Sequence, residues 1–164
     1  MNIKDFNMPQ HFKRFPDDSP KVLSWKLRRC HRILIRSIEK RVVSTGVYSS
    51  QHRILMTLHH EPNISQSEIA ERMNISPASV AVTLKKLEKS GYIKRTVDEK
   101  DNRINNIILT EQGQEVVEKS HVIFDEIEAS TFKNFTPEEK EMAGRILDKI
   151  GANLLEYYKS IEEE

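Results

Sequence analysis

The sequence predicts a mainly α-helical chain with one small β-hairpin, on three observations. Apolar residues recur at helical spacing over most of the chain. One stretch, Lys94–Thr110, alternates like two strands around a polar tip. Charged residues make up 31% and hydrophobic residues 37% of the 164, which fits a soluble, helix-rich domain long enough to bury a core. The single cysteine, Cys30, forbids an internal disulfide and fits a reducing cytoplasm. No apolar run approaches the roughly 18–20 residues needed to span a bilayer. The first twenty residues lack the uninterrupted apolar core of a signal peptide. A cytoplasmic protein without membrane association is expected.

The elements follow in order. Residues 1–19 contain two prolines, with a third at position 20, and little periodicity, which suggests a flexible N-terminal arm. From Lys21, Leu23, Leu27, Cys30, Leu34 and Ile38 mark one face of a long helix that ends near Gly46. A second helix starts at Ser49 or Ser50, buries Ile54, Leu55 and Leu58, and stops where Pro62 cannot continue it. Ser65–Glu68 is a capping box that opens a third helix with Ile69, Ala70 and Met73 on one face. After a short turn, Ser76 caps a fourth helix with Pro77 at its first position, and Ile75 and Val80 sit where a hydrophobic staple needs them. Val80, Leu84 and Leu87 continue the buried face, and Gly91 ends the helix. The runs YIKRTV and INNIIL then alternate as the strands of a hairpin. Thr110 caps a fifth helix with Val116, Ser120, Ile123, Ile127 and Thr131 on one seam. The capping box Thr136–Glu139 opens a sixth, carrying Ile146, Ile150, Leu154 and Tyr158.

Two short helices joined by a tight turn and followed by a hairpin make a winged helix-turn-helix. The outer face of the fourth helix is then the surface expected to enter a major groove of double-stranded DNA. With Val80, Leu84 and Leu87 buried, a 100° step places Ala78, Val82, Lys85 and Lys89 opposite, flanked by Ser79, Thr83 and Lys86. An exposed Val82 gains no burial in the free protein but suits a thymine methyl. Ser76 and Ser79 can donate to bases or phosphates, and the lysines can neutralise phosphates. At the hairpin tip, Lys100 and Arg103 can reach the adjacent minor groove, with Asp101 holding the guanidinium by a charge-assisted bond. Charge is unevenly distributed. Residues 1–64 hold twelve basic and five acidic residues, net +7; residues 65–110 eight and six, net +2; residues 111–164 six and fourteen, net −8. Such a chain pairs its ends or shows its basic part to a polyanion.

The stretch SQSEIAERMNISPASVAVTLKKLEKSGYIKRTVDEKDNRINNIILTEQG resembles the MarR family of bacterial transcription regulators. Asp101, Arg103, Ile107, Leu109 and Thr110 fill the family's wing signature, and Leu87, Glu88 and Gly91 match the end of its recognition helix. The resemblance spans roughly residues 21–158. It implies a two-fold homodimer built from the first, fifth and sixth helices, palindromic operators, and a small-molecule or redox effector. Members often carry arginine where Val82 stands, so no operator sequence is borrowed. The organisation expected is an arm over 1–19, a helical dimerisation region over 20–48 and 111–164, and a winged DNA-binding region over 49–110.

A repressor released by a small apolar or aromatic effector is the function this reading implies. Trp25, Met56, His59 and Phe124 are the candidates to line its pocket, although each is also a plain core or surface residue. Cys30 sits among Arg28, Arg29, His31 and Arg32, a setting that promotes thiol reactivity. A redox-sensing regulator acting through Cys30 is therefore an alternative. Its place on the apolar stripe with Leu27 and Leu34 instead predicts a packed, inert thiol. Zinc sensing by His52, His59, His60 or His121 is disfavoured, because adjacent histidines diverge by about 100° on a helix and His121 lacks a partner four residues away. No metal or cofactor is expected. A winged-helix module that binds protein is the remaining rival. The chain shows no phosphate loop, nucleophile elbow or paired catalytic motif, so no enzyme is expected.

Overall fold

The computed structural model describes residues 7–97 and 105–162. In chain order these form α1 (Pro20–Val42), α2 (Ser49–His60), α3 (Gln66–Met73), α4 (Pro77–Lys89), β1 (Ile93–Val97), β2 (Asn105–Leu109), α5 (Glu111–Thr131) and α6 (Pro137–Glu162). Local chemistry explains the boundaries. Ser19 caps α1 with Pro20 at its first position, and the Val22 amide donates to Ser19 Oγ at 3.4 Å. A single 3-10 turn, Val43–Thr45, then closes on Gly46 at φ +90°, a conformation glycine adopts without strain. In α3 the capping box is complete: the Glu68 amide donates to Ser65 Oγ and the Ser65 amide to the Glu68 carboxylate. Those bonds from Ser65 hold the Glu68 carboxyl below its ordinary range. The same reciprocal pair joins Thr136 and Glu139 at the start of α6.

The chain divides into two compact units, one ending at Ile127 and one beginning at Glu128. The first has a continuous core in which Ile54 and Leu55 of α2, Ile69 of α3, and Val80, Leu84 and Leu87 of α4 are buried. Ile93, Ile107, Val116 and Val117 join them from the hairpin and α5. Each such side chain contributes about 1.5–3 kcal/mol by leaving water. Strands β1 and β2 pair antiparallel, with Ile93 opposite Leu109 and Arg95 opposite Ile107. Arg41 of α1 forms an ion pair with Glu126 of α5, so basic and acidic regions of the chain do meet.

Of the stripe predicted for α1, only Ile38 reaches this core. Leu23, Leu27 and Leu34 are exposed, and so is Cys30; α1 buries Val22 and Val42 instead and packs Ile38 against the core. Within the single chain, the expectation of a packed thiol is therefore corrected. Periodicity identified an apolar face correctly but could not tell which surface covers it. The second unit repeats the pattern. Among the described residues of α6 none is buried, and Ile146, Leu154 and Tyr158 of its predicted seam are about half exposed. Residues 9–15 carry more order than their composition suggests: Gln10–Phe12 form a 3-10 turn and Phe12 lies against Trp25, ring centroids 6.3 Å apart.

Candidate nucleic-acid interface

The turn from α3 to α4 is built by a left-handed residue and a cap. Asn74 sits at φ +51°, and its amide and that of Ile75 close back onto the last turn of α3. Ser76 then caps α4, accepting from the Ser79 amide at 3.2 Å. Gln66 Nε2 of α3 donates to the Pro77 carbonyl at 3.4 Å. Ile75 is half-buried against the core while Val80 is fully buried, as a hydrophobic staple requires.

These constraints fix what α4 presents. Ser76, Pro77, Ala78, Ser79, Lys85, Lys86 and Lys89 are exposed, Thr83 is half-buried, and Val82 is 56% exposed. Hydroxyl chemistry narrows the roles. Ser76 Oγ and Ser79 Oγ lie 2.9 Å apart, so one of their two protons is spent between them and one remains to donate outward. Thr83 Oγ1 donates to the Ser79 carbonyl at 2.9 Å, which leaves it only an acceptor.

The hairpin is fastened to α4 and α5 at its base. Gly91 turns the chain at φ +78°. The Thr110 hydroxyl donates to the Gly91 carbonyl at 2.6 Å and accepts from the Gly113 amide at 3.2 Å, while the Thr110 amide donates to the Tyr92 carbonyl at 3.1 Å. Glu88 of α4 and Arg95 of β1 add a charge contact, Nε to Oε2 3.3 Å, out of line for a hydrogen bond. Sequence reasoning missed this pair. Glu88 carried a signal as part of the family pattern, but its partner lies in another element. The tip residues Lys100, Asp101 and Arg103 lie outside the described residues.

A family model for MarR matches residues 47–104. The uncharacterized HTH-type transcriptional regulator YdgJ of Bacillus subtilis is 33% identical over 110 residues, 67% of each chain. The HTH-type transcriptional repressor MdtR of the same organism is 32% identical over 117 residues, covering 71% of this chain and 73% of the relative. This chain belongs to the MarR family. It is a winged helix-turn-helix transcription regulator and not an enzyme. Among solved structures, the S. aureus MepR–DNA complex superposes with a TM-score of 0.62 at 26% identity, covering 89% of this chain and 99% of MepR.

The effector candidates of this MarR-family chain separate into two places. Trp25 packs on Phe12 and under Arg29, whose guanidinium carbon is 5.7 Å from the ring. Met56 is half-buried against the core. His59 and Phe124 belong to a ring cluster between α2 and α5: His59 meets His121 at 5.4 Å and Phe124 meets His52 at 5.8 Å. Reading each helix alone could not show that His121 lands on His59. Among the described residues no group of three His, Cys, Asp or Glu side chains is arranged to hold a metal. No described helix is long and apolar enough to cross a membrane.

Proposed function

We propose that the protein is a cytoplasmic homodimeric repressor that places α4 of each copy in successive major grooves of a palindromic operator. The observation that carries this reading is Val82, a 56%-exposed valine on the outer face of a helix-turn-helix. It is flanked by exposed Ser79, Lys85, Lys86 and Lys89. An apolar side chain with cations beside it matches a thymine methyl bordered by phosphates. The DNA complex of MepR and the likeness to MdtR, an HTH-type transcriptional repressor, support it. Arg103 reads the adjacent minor groove, steadied by Asp101, with Lys100 on the backbone. In the dimer, Leu23, Leu27, Cys30 and Leu34 are covered by the second copy. A small apolar or aromatic effector bound among Trp25, Met56, His59 and Phe124 releases the operator.

The test is binding to a duplex selected from a random pool and to its scrambled form, across a salt series. Val82→Ala relaxes preference at one thymine per half-site and spares the scrambled duplex. Lys86→Ala weakens both duplexes alike and lowers the salt slope by about one unit per phosphate lost. Arg103→Ala weakens selected-site binding by about 1–3 kcal/mol. Equal affinity of the wild-type protein for selected and scrambled duplexes at every salt concentration would sink the proposal and favour a protein-binding module.

A further inference from the structure

The start of the chain builds a second concave site, lined by none of the residues assigned to DNA reading. The segment before α1 and its first turns enclose an open cleft of about 490 Å³, lined by His11, Phe12, Arg14, Phe15, Lys21 and Arg28 among others. That size falls within the range of small-ligand sites. Its charge is one-sided. The Arg14 guanidinium carbon lies 5.1 Å and Lys21 Nζ 4.6 Å from the centroid of the same ring, Phe15. Arg28 follows Lys21 by two helical turns on the same face of α1. Among the described residues lining the cleft there is no carboxylate. Asp17, close by in sequence, pairs instead with Lys26 at 3.3 Å.

Attraction to the Phe15 ring thus holds two like charges together, with a third beside them and no carboxylate among the described lining residues. Their repulsion is relieved by an anion, and several cations converging on one cleft favour an anion with more than one charge. The other wall is aromatic: the His11 and Phe12 rings lie 4.3 Å apart, tilted by 40°. Clustered cations beside ring faces are the pairing that recognises phosphates attached to a base.

We propose that this cleft binds a nucleotide, with its phosphates on Arg14, Lys21 and Arg28 and its base against Phe12 and His11. The same chemistry comes either from a free nucleotide or from the DNA that flanks the operator.

The protein carries its own reporter. Trp25 is the only tryptophan, and its ring lies 6.3 Å from that of Phe12. ADP titrated into the full chain gives a saturable change in Trp25 fluorescence. The exposed double variant Arg14→Gln/Arg28→Gln weakens it by about tenfold or more, the loss expected for charge-assisted contacts. In the second arm, the selected duplex is compared with a version trimmed to its half-sites. If DNA is the source, wild type prefers the flanked duplex and the double variant does not. Either result supports the proposal and names the source. No ADP response together with no flank preference overturns it, as does an ADP response that the double variant leaves unchanged. Should circular dichroism show that the double variant has lost helix, Lys21→Gln replaces it under the same criteria. The ADP arm stands whether or not the chain binds DNA, so failure of the cleft and failure of operator binding are distinguishable.

Discussion

His52 illustrates how one side chain can tie α2 to α5. It is 3% exposed, and its Nε2 lies 2.9 Å from Ser120 Oγ. Ser120 Oγ donates to the Val116 carbonyl at 2.6 Å, so it must accept from His52, which fixes the proton of the neutral imidazole on Nε2. Burial lowers the His52 pKa below its ordinary 6.5. The unfolded chain therefore binds the proton more readily than the folded one. The stability this residue contributes is present above pH 6.5 and is lost as pH falls from there toward the folded pKa. Urea unfolding at pH 7.5 and pH 5.5 checks this: His52→Gln, which keeps a donor for Ser120 but cannot titrate, loses less stability on acidification than wild type. An equal loss in both proteins removes His52 as the cause. Little of this was legible in the sequence. Val82 was, because its exposure follows from the spacing of Val80, Leu84 and Leu87 along one helix. The bond from His52 spans 68 residues, and no local pattern encodes it.

Among the elements, the joint between α4, the hairpin and α5 is the most tightly specified. A Cβ built on Gly113 would stand 2.1 Å from the Tyr92 carbonyl oxygen, a backbone atom that cannot rotate aside. The amide of Thr110 also donates to that oxygen, so the hairpin base and the first turn of α5 cannot separate without breaking a bond. Gly113→Ala should destabilise the fold by about 1–3 kcal/mol, as overpacking does. The urea midpoint measures this, and an unchanged midpoint would show that the joint yields easily. The same mutation should leave dimerisation intact. Caps and turns were readable in advance because each joins residues three apart, as in Ser65 with Glu68 and Thr136 with Glu139. Glu88 with Arg95, and His59 with His121, were not, because their partners meet only after the helices and strands have packed.

At the scale of the whole molecule, the described helices leave extended apolar faces exposed. Helix α6 runs for 26 residues, roughly 39 Å at 1.5 Å per residue, without one buried side chain among those described. Met142, Ile146, Leu147, Leu154, Leu155 and Ile161 are each about half exposed on it. Helix propensity alone is marginal support for such a segment in water. Together with Leu23, Leu27 and Leu34 of α1, these residues suit an isologous contact with a second copy. Sedimentation at micromolar concentration should find a dimer. Leu154→Glu should shift it toward monomer and reduce helix content by circular dichroism, while a wild-type monomer would contradict the assembly. In the proposed dimer the basic residues of 1–64 should attract the acidic residues of 111–164 between copies, and dimer affinity should fall with added salt.

The clasp of Gly91, Thr110 and Gly113 makes the hairpin a cantilever, fixed at one end to the first turn of α5. Its strands are five residues each, so Val97 and Asn105 stand about 16 Å beyond the anchor at roughly 3.3 Å per residue. A tilt of roughly 5° at the root sweeps that far end through about 1.4 Å, while Gly91, at the fixed point, hardly moves. That sweep spans the difference between a good hydrogen bond and none. A small strain arriving along α5 is therefore felt first at the free end of the beam. On the proposed reading, in which that end grips the minor groove, the grip is released before α4 has left its groove.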